Sequence, residues 1–371
     1  QLFTFFLVMN PGLENLALLE FKEKWQLAFD TAVPRYTFEE GGIEFLASFI
    51  EFEYLSHYLK IPTRILLRIN HEFKVRDFPK LFTKCKNAQW ISEYILEVPE
   101  VIKCTSKKSR LIHTKKIEDT IRKGLAEYFR NNPPKKKLLK KTKEYKNPIL
   151  HVRIINDNCK FSLDVTGGNL YKRGERTYIG SAPLRENIAA AFIYFCNSHN
   201  QDYVCDPMCG SGSLLIEAHQ FYNFINREQL SYLTIPLLQN VSETLIPLRS
   251  SLKTIPLKSV GFDICEKTLK AAKRNNMFSE LCINDIWEGF PQKYNFDQII
   301  LNPPWNKRIQ LDAKRKKTHA DLFKTIRAQG NYSLGMILPK DINLKIFKNQ
   351  PTKKLILTIG GIKTQFLYWE K

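Results

Sequence analysis

The chain has 371 residues, of which 43% are hydrophobic and 25% are charged, a composition typical of a soluble globular protein with two or three domains. Its 57 Lys and Arg against 37 Asp and Glu give a net charge of +20, which favours a polyanionic partner, most simply nucleic acid, with an anionic membrane surface second. No apolar run reaches membrane-spanning length, and the eight cysteines form no CxxC pair. We therefore expect a cytoplasmic protein without a membrane span, a disulfide framework or a bound metal.

Two regions of mixed helices and strands are predicted before residue 166. Residues 1–50 are typical of a small α+β unit, with elements predicted at 2–9 (strand), 13–28 (helix) and 42–46 (strand). Residues 51–165 combine short strands at 63–69, 149–155 and 160–165 with helices at 78–86 and 114–130.

The charge of the second region is uneven. Residues 103–146 contain sixteen basic side chains against four acidic ones. A single run of lysines usually indicates only a solvated helix face or a charged loop. In a chain that already carries +20, this excess favours a surface that contacts the phosphate backbone of a nucleic acid.

From about residue 166 the pattern changes to alternating strands and helices. Strands are predicted at 203–206, 259–263, 281–285, 296–302, 332–338, 354–359 and 364–369, and helices at 184–198, 213–224, 266–277 and 318–329. Most of these strands are near-continuous apolar runs, as expected when helices cover both faces of a parallel sheet. Ligands of such α/β sheets bind at the carboxyl ends of the strands.

The motif DPMCGSG, residues 206–212, follows the first of these strands. Gly210 and Gly212 permit a sharp turn from strand to helix and a close approach of the backbone to a ligand. The helix that begins there offers free N–H groups and a positive dipole end to an anionic group. A GxG alone is weak evidence, but Asp206, Pro207 and two later acidic strand ends strengthen it.

Those two later residues are Asp263 in GFDIC and Asp285 in INDIW. A carboxylate at the end of the second strand of a dinucleotide-type fold accepts hydrogen bonds from ribose hydroxyls. A carboxylate at the end of the third strand could accept from an adenine amine. The alternative is that both aspartates cap the helices that follow them.

The motif NPPW, residues 302–305, follows the fourth strand. An exocyclic base amine is a poor nucleophile because its lone pair is delocalised into the ring. Asn302 Oδ1 and the Pro303 carbonyl can each accept an N–H bond and turn that lone pair towards a methyl donor. Pro303 and Pro304 supply no competing donor, and Trp305 offers a flat face for an unstacked base. A proline-rich turn that caps the strand is the alternative interpretation.

Together these motifs resemble the THUMP-domain class I methyltransferases that make N2-methylguanosine in 23S ribosomal RNA or tRNA. The N-terminal FFLVMNPGLENLALLEF is similar to the ferredoxin-like unit of that family, and ILEVPEVIKCTSKKSRLIHTKKIEDTIRKGLAEYF is similar to its THUMP region. FSLDVTGGNLYKRGERTYIGSAPLRENIAAAFI resembles the join to the catalytic domain. Trp305 replaces the usual tyrosine, and residues 222–258 match no part of the family that we can place.

The resemblance implies a ferredoxin-like region at 1–50, a THUMP RNA-binding domain at 51–165 and a Rossmann-like, seven-stranded class I methyltransferase domain at 166–371. It implies S-adenosylmethionine as cofactor and RNA as partner. The implied cofactor-binding residues are Pro183, Leu184, Asp206, Pro207, Cys209, Gly210, Ser211, Gly212, Asp263, Ile264, Asp285 and Ile286. The implied catalytic residues are Asn302, Pro303, Pro304 and Trp305, and the implied RNA-binding residues are Lys107, Lys108, Arg110, His113 and Lys115.

We therefore expect a guanine-N2 methyltransferase that acts on structured RNA. An adenine-N6 methyltransferase is the first alternative, because NPPW suits an adenine amine equally well. A catalytically inactive RNA-binding or assembly factor is the second alternative, and the intact Asp206, Gly210, Gly212 and Asn302 argue against it.

Overall fold

The computed structural model describes residues 1–29, 31–39, 41–134, 147–173, 184–227, 231–239, 252–253, 257–275, 279–291, 293–305, 311 and 317–371. The described strands are β1 Leu2–Val8, β2 Tyr36–Glu39, β3 Gly42–Ser48, β4 Arg64–Lys74, β5 Ile102–Lys107, β6 Leu150–Ile155, β7 Asn158–Asp164, β8 Tyr203–Asp206, β9 Lys258–Asp263, β10 Glu280–Ile283, β11 Gln298–Leu301, β12 Ser333–Pro339, β13 Lys353–Ile359 and β14 Ile362–Trp369. The described α-helices are α1 Glu14–Ala28, α2 Phe49–Tyr58, α3 Phe78–Lys86, α4 Thr114–Asn131, α5 Glu186–Phe195, α6 Ser213–Gln220, α7 Pro236–Gln239, α8 Glu266–Arg274 and α9 His319–Arg327.

The strands before residue 166 form one sheet in the order β2-β3-β1-β4-β7-β6-β5. The first four belong to a βαββαβ unit, β1-α1-β2-β3-α2-β4, in which β1 is antiparallel to both β3 and β4. The second half of the sheet is joined through antiparallel pairing of β4 with β7, and its edge pair β5–β6 is parallel. We call this sheet and its helices the N-terminal unit.

The domain boundary predicted near residue 50 needs correction. It falls inside α2, and β1 and β4, which lie on either side of it, are paired in the same sheet. The βαββαβ unit therefore continues to the end of β4 at Lys74, and no break in the hydrogen-bonded sheet separates it from the second region.

Three elements of this unit are absent from the sequence prediction, namely β2, α2 and β5. Helix α2 is buried around most of its circumference, so its sequence FIEFEYLSHY shows no amphipathic period. Its start carries a capping box in which Ser48 and Glu51 bond each other's backbone N–H, a local signal that could have revealed it. Strands β2 and β5 are edge strands of four and six residues with mostly exposed or half-buried side chains.

The strands after residue 200 form a second sheet in the order β10-β9-β8-β11-β12-β14-β13. Neighbouring strands from β10 to β12 are parallel, and β14 is antiparallel to both β12 and β13. The chain order reverses between β8 and β11, and such a switch point opens a crevice at the carboxyl ends of the strands. We call this sheet and its helices the C-terminal unit.

The two units share a buried interface. One hydrophobic cluster contains Phe21 and Trp25 of α1 together with Phe192 of α5 and Phe221 after α6. At its centre lies a fully buried ion pair between Glu20 and Lys24, with 2.6 Å between the charged atoms.

The Glu20–Lys24 ion pair has further partners that satisfy it inside the protein. Glu20 also accepts the backbone N–H groups of Lys60 and Ile61 at 2.8 and 3.0 Å. Lys24 donates to the Tyr58 carbonyl at 2.8 Å. Burial lowers the pKa of Lys24, and the neighbouring Glu20 carboxylate opposes that shift.

Part of the segment 222–258, which the sequence left unplaced, contacts the N-terminal unit. Arg227 Nε donates to the Ser56 carbonyl at 2.6 Å, and the Tyr232 hydroxyl donates to Glu53 Oε1 at 2.6 Å. Ser231 bonds the Asp164 carbonyl at the end of β7. This part of the segment therefore joins the two units.

No helix within the described ranges is both long and apolar enough to cross a membrane. All eight cysteines are free thiols.

The buried ion pair generates a stability prediction. Lys24→Ala leaves the Glu20 carboxylate buried without its cation, which should lower the free energy of unfolding by about 3–5 kcal/mol. Lys270→Ala, in the exposed i,i+4 pair with Glu266, should leave it almost unchanged because solvent screens that pair. Urea unfolding followed by circular dichroism measures both, and equal stability of the two variants would contradict the role given to Lys24.

Candidate active site

The carboxyl ends of four neighbouring strands form the edge of interest. β8 ends at Asp206 and β9 at Asp263, and Asn302 directly follows β11. Asp206 is paired in register with Gly261 of β9, and Asp263 with Ile283 of β10. The structure therefore brings the predicted acidic residues and the NPPW motif to one edge of the sheet.

The glycine loop between β8 and α6 is held by hydrogen bonds from several directions. The Gly210 N–H donates to Asp263 Oδ2 at 2.9 Å. The Cys209 N–H donates to the Phe262 carbonyl at 2.9 Å. Asn275, which follows α8, donates to the Ser211 carbonyl at 3.2 Å. Asn275 is a loop-supporting residue that the sequence motifs did not indicate.

The conformation of this loop explains its glycines. Gly210 and Gly212 have φ values of +54° and +85°, in the left-handed region that favours glycine. A Cβ on Gly210 would find no atom within 4 Å, so that side of the loop is open. Gly261 of β9 lies beneath the loop, and a Cβ added to it would be only 2.9 Å from Cys209 Sγ. The Cys209 side chain therefore packs closely against Gly261. Pro207 is buried as well.

Asp263 has a structural task in addition to the predicted one. Its Oδ2 accepts the Gly210 N–H, and its Oδ1 accepts the Cys265 N–H at 2.8 Å. A carboxylate offers about four lone-pair sites, so capacity for ribose hydroxyls remains. The side chain is half-buried, and Ile264 beside it is 69% exposed.

Asp206 is fully buried at the end of β8, where its Oδ1 accepts the Met208 N–H at 3.1 Å. Burial is the main cause that raises the pKa of Asp206 to about 8. The nearby Asp263 carboxylate adds to this rise, and the Met208 hydrogen bond opposes it. Asp206 is therefore mostly protonated at pH 7 in the free protein.

The third acidic residue lies past its strand rather than in it. β10 ends at Ile283, and Asp285 caps a short 3₁₀ helix by accepting the Trp287 N–H at 3.1 Å. The capping interpretation thus applies to Asp285, whose side chain remains half-buried at the edge. Ile286 is 2% exposed and packs in the core, so it supports the edge from below rather than lining it.

Two further residues complete the picture of this edge. Ile283, which was not predicted, is 63% exposed beside Asp263 and offers an apolar surface comparable to that of Ile264. Leu184 is buried in the core just before α5. Pro183, predicted with it, lies outside the described residues.

The NPPW loop, residues 302–305, carries two unsatisfied polar atoms. Asn302 Oδ1 and Trp305 Nε1 are both buried, and neither atom has a hydrogen-bond partner among the described residues. Pro303 is buried, and the Pro304 carbonyl oxygen lies 3.0 Å from His319 Nε2. The Trp305 ring packs partly against the large hydrophobic cluster.

The predicted RNA-binding residues lie together on the surface of the N-terminal unit. They occupy the end of β5, the loop after it and the first turn of α4, and every one of them is exposed: Lys107, Lys108, Arg110, His113 and Lys115. The loop is anchored where the Arg110 N–H donates to Asp157 Oδ1 at 2.8 Å. The basic residues between 135 and 146 lie outside the described part of the chain.

The fold and this edge define a methyltransferase. The model of the family described as RMKL-like, methyltransferase domain (UPF0020) matches residues 173–365, just over half of the chain. The chain belongs to this family. S-adenosylmethionine is therefore the cofactor of the domain, as the sequence predicted.

Relatives and solved structures agree with this assignment. The ribosomal RNA large subunit methyltransferase K/L of Vibrio parahaemolyticus is 26% identical over 321 residues, which are 81% of this chain but 44% of that protein. The chain thus spans less than half the length of this curated relative. The crystal structure of a possible methylase from Clostridium difficile 630 is 26% identical, covers 100% of this chain and 98% of that one, and has a TM-score of 0.81. The methyltransferase SMU.472, crystallised with S-adenosylhomocysteine, has a TM-score of 0.75 at 20% identity, covers 100% of this chain and 98% of that one, and shows the fold alone.

The residues present fit such a cofactor. The glycine loop is open on the side where Gly210 carries no Cβ, as close approach of a ligand requires. Asp263 and Asp206 carry side-chain carboxyl groups at this edge, which are groups that can bond ribose hydroxyls or an ammonium group, and Ile264 and Ile283 have exposed apolar side chains. Within the described residues, no group of three or more His, Cys, Asp or Glu side chains could hold a metal ion.

The pKa of Asp206 generates a prediction about cofactor binding. If the cofactor's ammonium group lies beside this carboxylate, binding favours the ionised form and releases a proton at pH 7. Affinity should therefore rise as pH increases from about 6.5 towards 8.

Calorimetry at pH 7 in phosphate and in Tris measures the released proton, because the two buffers differ in ionisation enthalpy. The apparent heats should differ for the wild type and coincide for Asp206→Asn. Equal heats for the wild type would show that Asp206 does not change its protonation on binding.

Proposed function

We propose that this protein transfers a methyl group from S-adenosylmethionine to the exocyclic N2 amine of a guanosine in structured RNA. The observation that carries the proposal is the unpartnered Asn302 Oδ1 at the edge that also holds the glycine loop. A buried acceptor without a donor costs about 1–3 kcal/mol. An amine N–H supplies that missing donor, so the site gains a hydrogen bond when the substrate enters.

The chain's own groups would act mainly by positioning. The cofactor, when bound, supplies an activated methyl group. Asn302 Oδ1 and the Pro303 carbonyl accept the two N–H bonds of the amine and turn its lone pair towards the cofactor pocket. Trp305 provides a face against which the unstacked base rests. Positioning of this kind provides most of the rate in a displacement reaction, and no general base is needed before methyl transfer because the methylated amine loses its proton easily.

Several observations support RNA as the substrate. The Vibrio parahaemolyticus relative is named a ribosomal RNA large subunit methyltransferase, although this chain spans 44% of it. The net charge of +20 and the exposed cluster from Lys107 to Lys115 suit a phosphate backbone. The resemblance of the motifs supports guanine N2 as the target, in 23S ribosomal RNA or in tRNA.

We assign RNA docking to the N-terminal unit. After the βαββαβ unit, its elements follow the order α3, β5, α4, β6 and β7, which supports a THUMP-like RNA-binding domain. The buried interface would hold this unit at a fixed position relative to the NPPW loop. Such an arrangement suits an enzyme that binds RNA at one place and reacts at another.

Adenine N6 is the second candidate target, because the observation on Asn302 favours any exocyclic amine. Guanine N1 carries a hydrogen and adenine N1 does not, but both bases have an exocyclic amine that can donate to Asn302 Oδ1. The contact with Asn302 therefore does not distinguish the two bases. An RNA-binding factor without catalytic activity is less compatible with this edge, since the buried Asn302 Oδ1 has no hydrogen-bond partner among the described residues.

The assigned mechanism predicts a specific kinetic defect. Asn302→Ala removes an acceptor used chiefly as the amine loses planarity, so single-turnover methyl transfer should slow by about 10²-fold or more. Binding of cofactor and RNA should change far less. Asn343→Ala, which removes the cap of a surface 3₁₀ turn, is a matched control and should keep the wild-type rate. A near wild-type rate in Asn302→Ala would overturn the mechanism.

The docking assignment predicts a change in salt dependence. Lys108→Ala with Arg110→Ala removes two exposed cations, so RNA affinity should fall and the slope of log K against log salt should decrease by about 0.7 per lost phosphate contact on single strands. Cofactor affinity should stay the same. Lys353→Ala with Lys354→Ala, on exposed β13, is the control. Equal salt slopes for the two double variants would remove the β5–α4 loop from the RNA surface.

A further inference from the structure

The NPPW loop has an unusual shortage of backbone donors. Pro303 and Pro304 carry no N–H, so neither can anchor the loop by donating to a carbonyl. At these two positions the backbone can form hydrogen bonds only through its carbonyl oxygens, which need donors from elsewhere in the protein. Within the described residues, the structure gives residues 302–305 one such bond, from His319 to the Pro304 carbonyl.

His319 is well placed to act as that donor. It is the first residue of α9 and is 8% exposed. The helix start is held by a capping box in which Thr318 and Asp321 bond each other's backbone N–H. The imidazole is thus carried by a fixed helix terminus rather than by a second loop.

The protonation of the ring follows from its partner. A carbonyl oxygen can only accept, so Nε2, which lies 3.0 Å from the Pro304 oxygen, must carry the hydrogen. Burial lowers the pKa of His319, against weaker opposing effects of the Pro304 bond and of Asp341. The ring is therefore neutral at pH 7, with its proton on Nε2.

The hydrogen bond from His319 to the Pro304 carbonyl fixes the part of the NPPW loop next to Trp305, the residue proposed to contact the substrate base. The Pro304 carbonyl belongs to the peptide plane that leads into Trp305, so holding this oxygen orients the Trp305 backbone. On the other side, Asn302 is fixed by β11, whose last residue Leu301 pairs with Met336 of β12. The acceptor and the stacking ring are thus held from two different elements.

We propose that His319 is a positioning residue for methyl transfer, and that its hydrogen bond to the Pro304 carbonyl sets the relative orientation of Asn302 and Trp305. His319 does not touch the substrate in this arrangement. The inference rests on the proposed function and adds to it a residue outside the motif. Loss of positioning by about 1 Å can slow an enzymatic reaction by about 10²-fold, which sets the size of the expected effect.

Two amide substitutions test the bond because they differ in reach. The amide nitrogen of Gln in His319→Gln can occupy nearly the place of Nε2, whereas the shorter side chain in His319→Asn ends nearer to Nδ1. We expect single-turnover methyl transfer with saturating RNA and cofactor to fall by at least about 10-fold in His319→Asn and to stay within about 3-fold of wild type in His319→Gln. Cofactor affinity, measured by calorimetry, should be unchanged in both. Equal rates in the two variants would overturn the proposal.

A second measurement keeps the inference testable without activity. The indole N–H resonance of Trp305, assigned in a ¹⁵N-labelled protein by its loss in Trp305→Phe, reports the orientation of the ring. It should shift or broaden in His319→Asn and return towards the wild-type position in His319→Gln. His219→Asn, a histidine that bonds Ser259 instead of the loop, should leave it unchanged. An unperturbed Trp305 resonance in His319→Asn would also overturn the proposal.

A failure of the proposed function and a failure of the His319 role give different experimental results. If neither wild type nor any variant methylates RNA, the proposed function is wrong, and the Trp305 resonance still decides whether His319 holds the loop. If Asn302→Ala is slow while His319→Asn reacts at the wild-type rate, the proposed function stands and the positioning role of His319 is wrong.

Discussion

The hydrogen bond from the Gly210 N–H to Asp263 Oδ2 is the contact on which the site depends most. It ties the loop after β8 to the end of β9, so the positions of the glycine loop and of the Asp263 carboxylate are set together. The Cys265 N–H holds the other oxygen of the same carboxylate. Substitution of Asp263 would therefore disturb the loop as well as any ligand contact, and loss of cofactor binding alone cannot separate the two effects.

A second constraint couples the RNA-docking unit to the reacting edge. Arg173 bonds both Glu217 of α6 and the Lys60 carbonyl of the N-terminal unit, in a region where both side chains are almost fully buried. α6 is the helix that begins at the glycine loop. The glycine loop is thus connected to the unit that we assign to RNA through the Arg173–Glu217 ion pair and the Arg173–Lys60 hydrogen bond. At the same interface, Lys24 Nζ lies 4.0 Å from the centre of the Phe221 ring.

Much of this architecture could be predicted from local sequence. The apolar strands and the two motifs led to the correct strand ends at Asp206 and Asp263, because buried parallel strands and glycine turns leave strong local signals. The pairing of β1 with β4 left no local signal, since strand neighbours are chosen by tertiary packing, and the boundary predicted near residue 50 was wrong for that reason.

The candidate site, like the fold, could be predicted only where its residues leave a local sequence signal. The sequence indicated Asp263 and Asn302 by their place after strands, but it could not reveal that Asp263 holds Gly210 or that Asn302 Oδ1 has no partner. Asn275 and His319 belong to other elements and reach the two loops only in the folded chain. The family resemblance implies Ile286 as a cofactor-binding residue, yet its side chain packs in the core. Contacts across long sequence separations account for each of these differences.

The central claim is that the edge around Asn302 presents a guanine amine for methylation. The most direct test is to incubate unmodified ribosomal RNA and tRNA with the protein and isotope-labelled S-adenosylmethionine, digest the RNA to nucleosides, and identify the labelled product by mass spectrometry. The account predicts labelled N2-methylguanosine with the wild type and little or none with Asn302→Ala. Labelled N6-methyladenosine, or label that persists unchanged in Asn302→Ala, would contradict it.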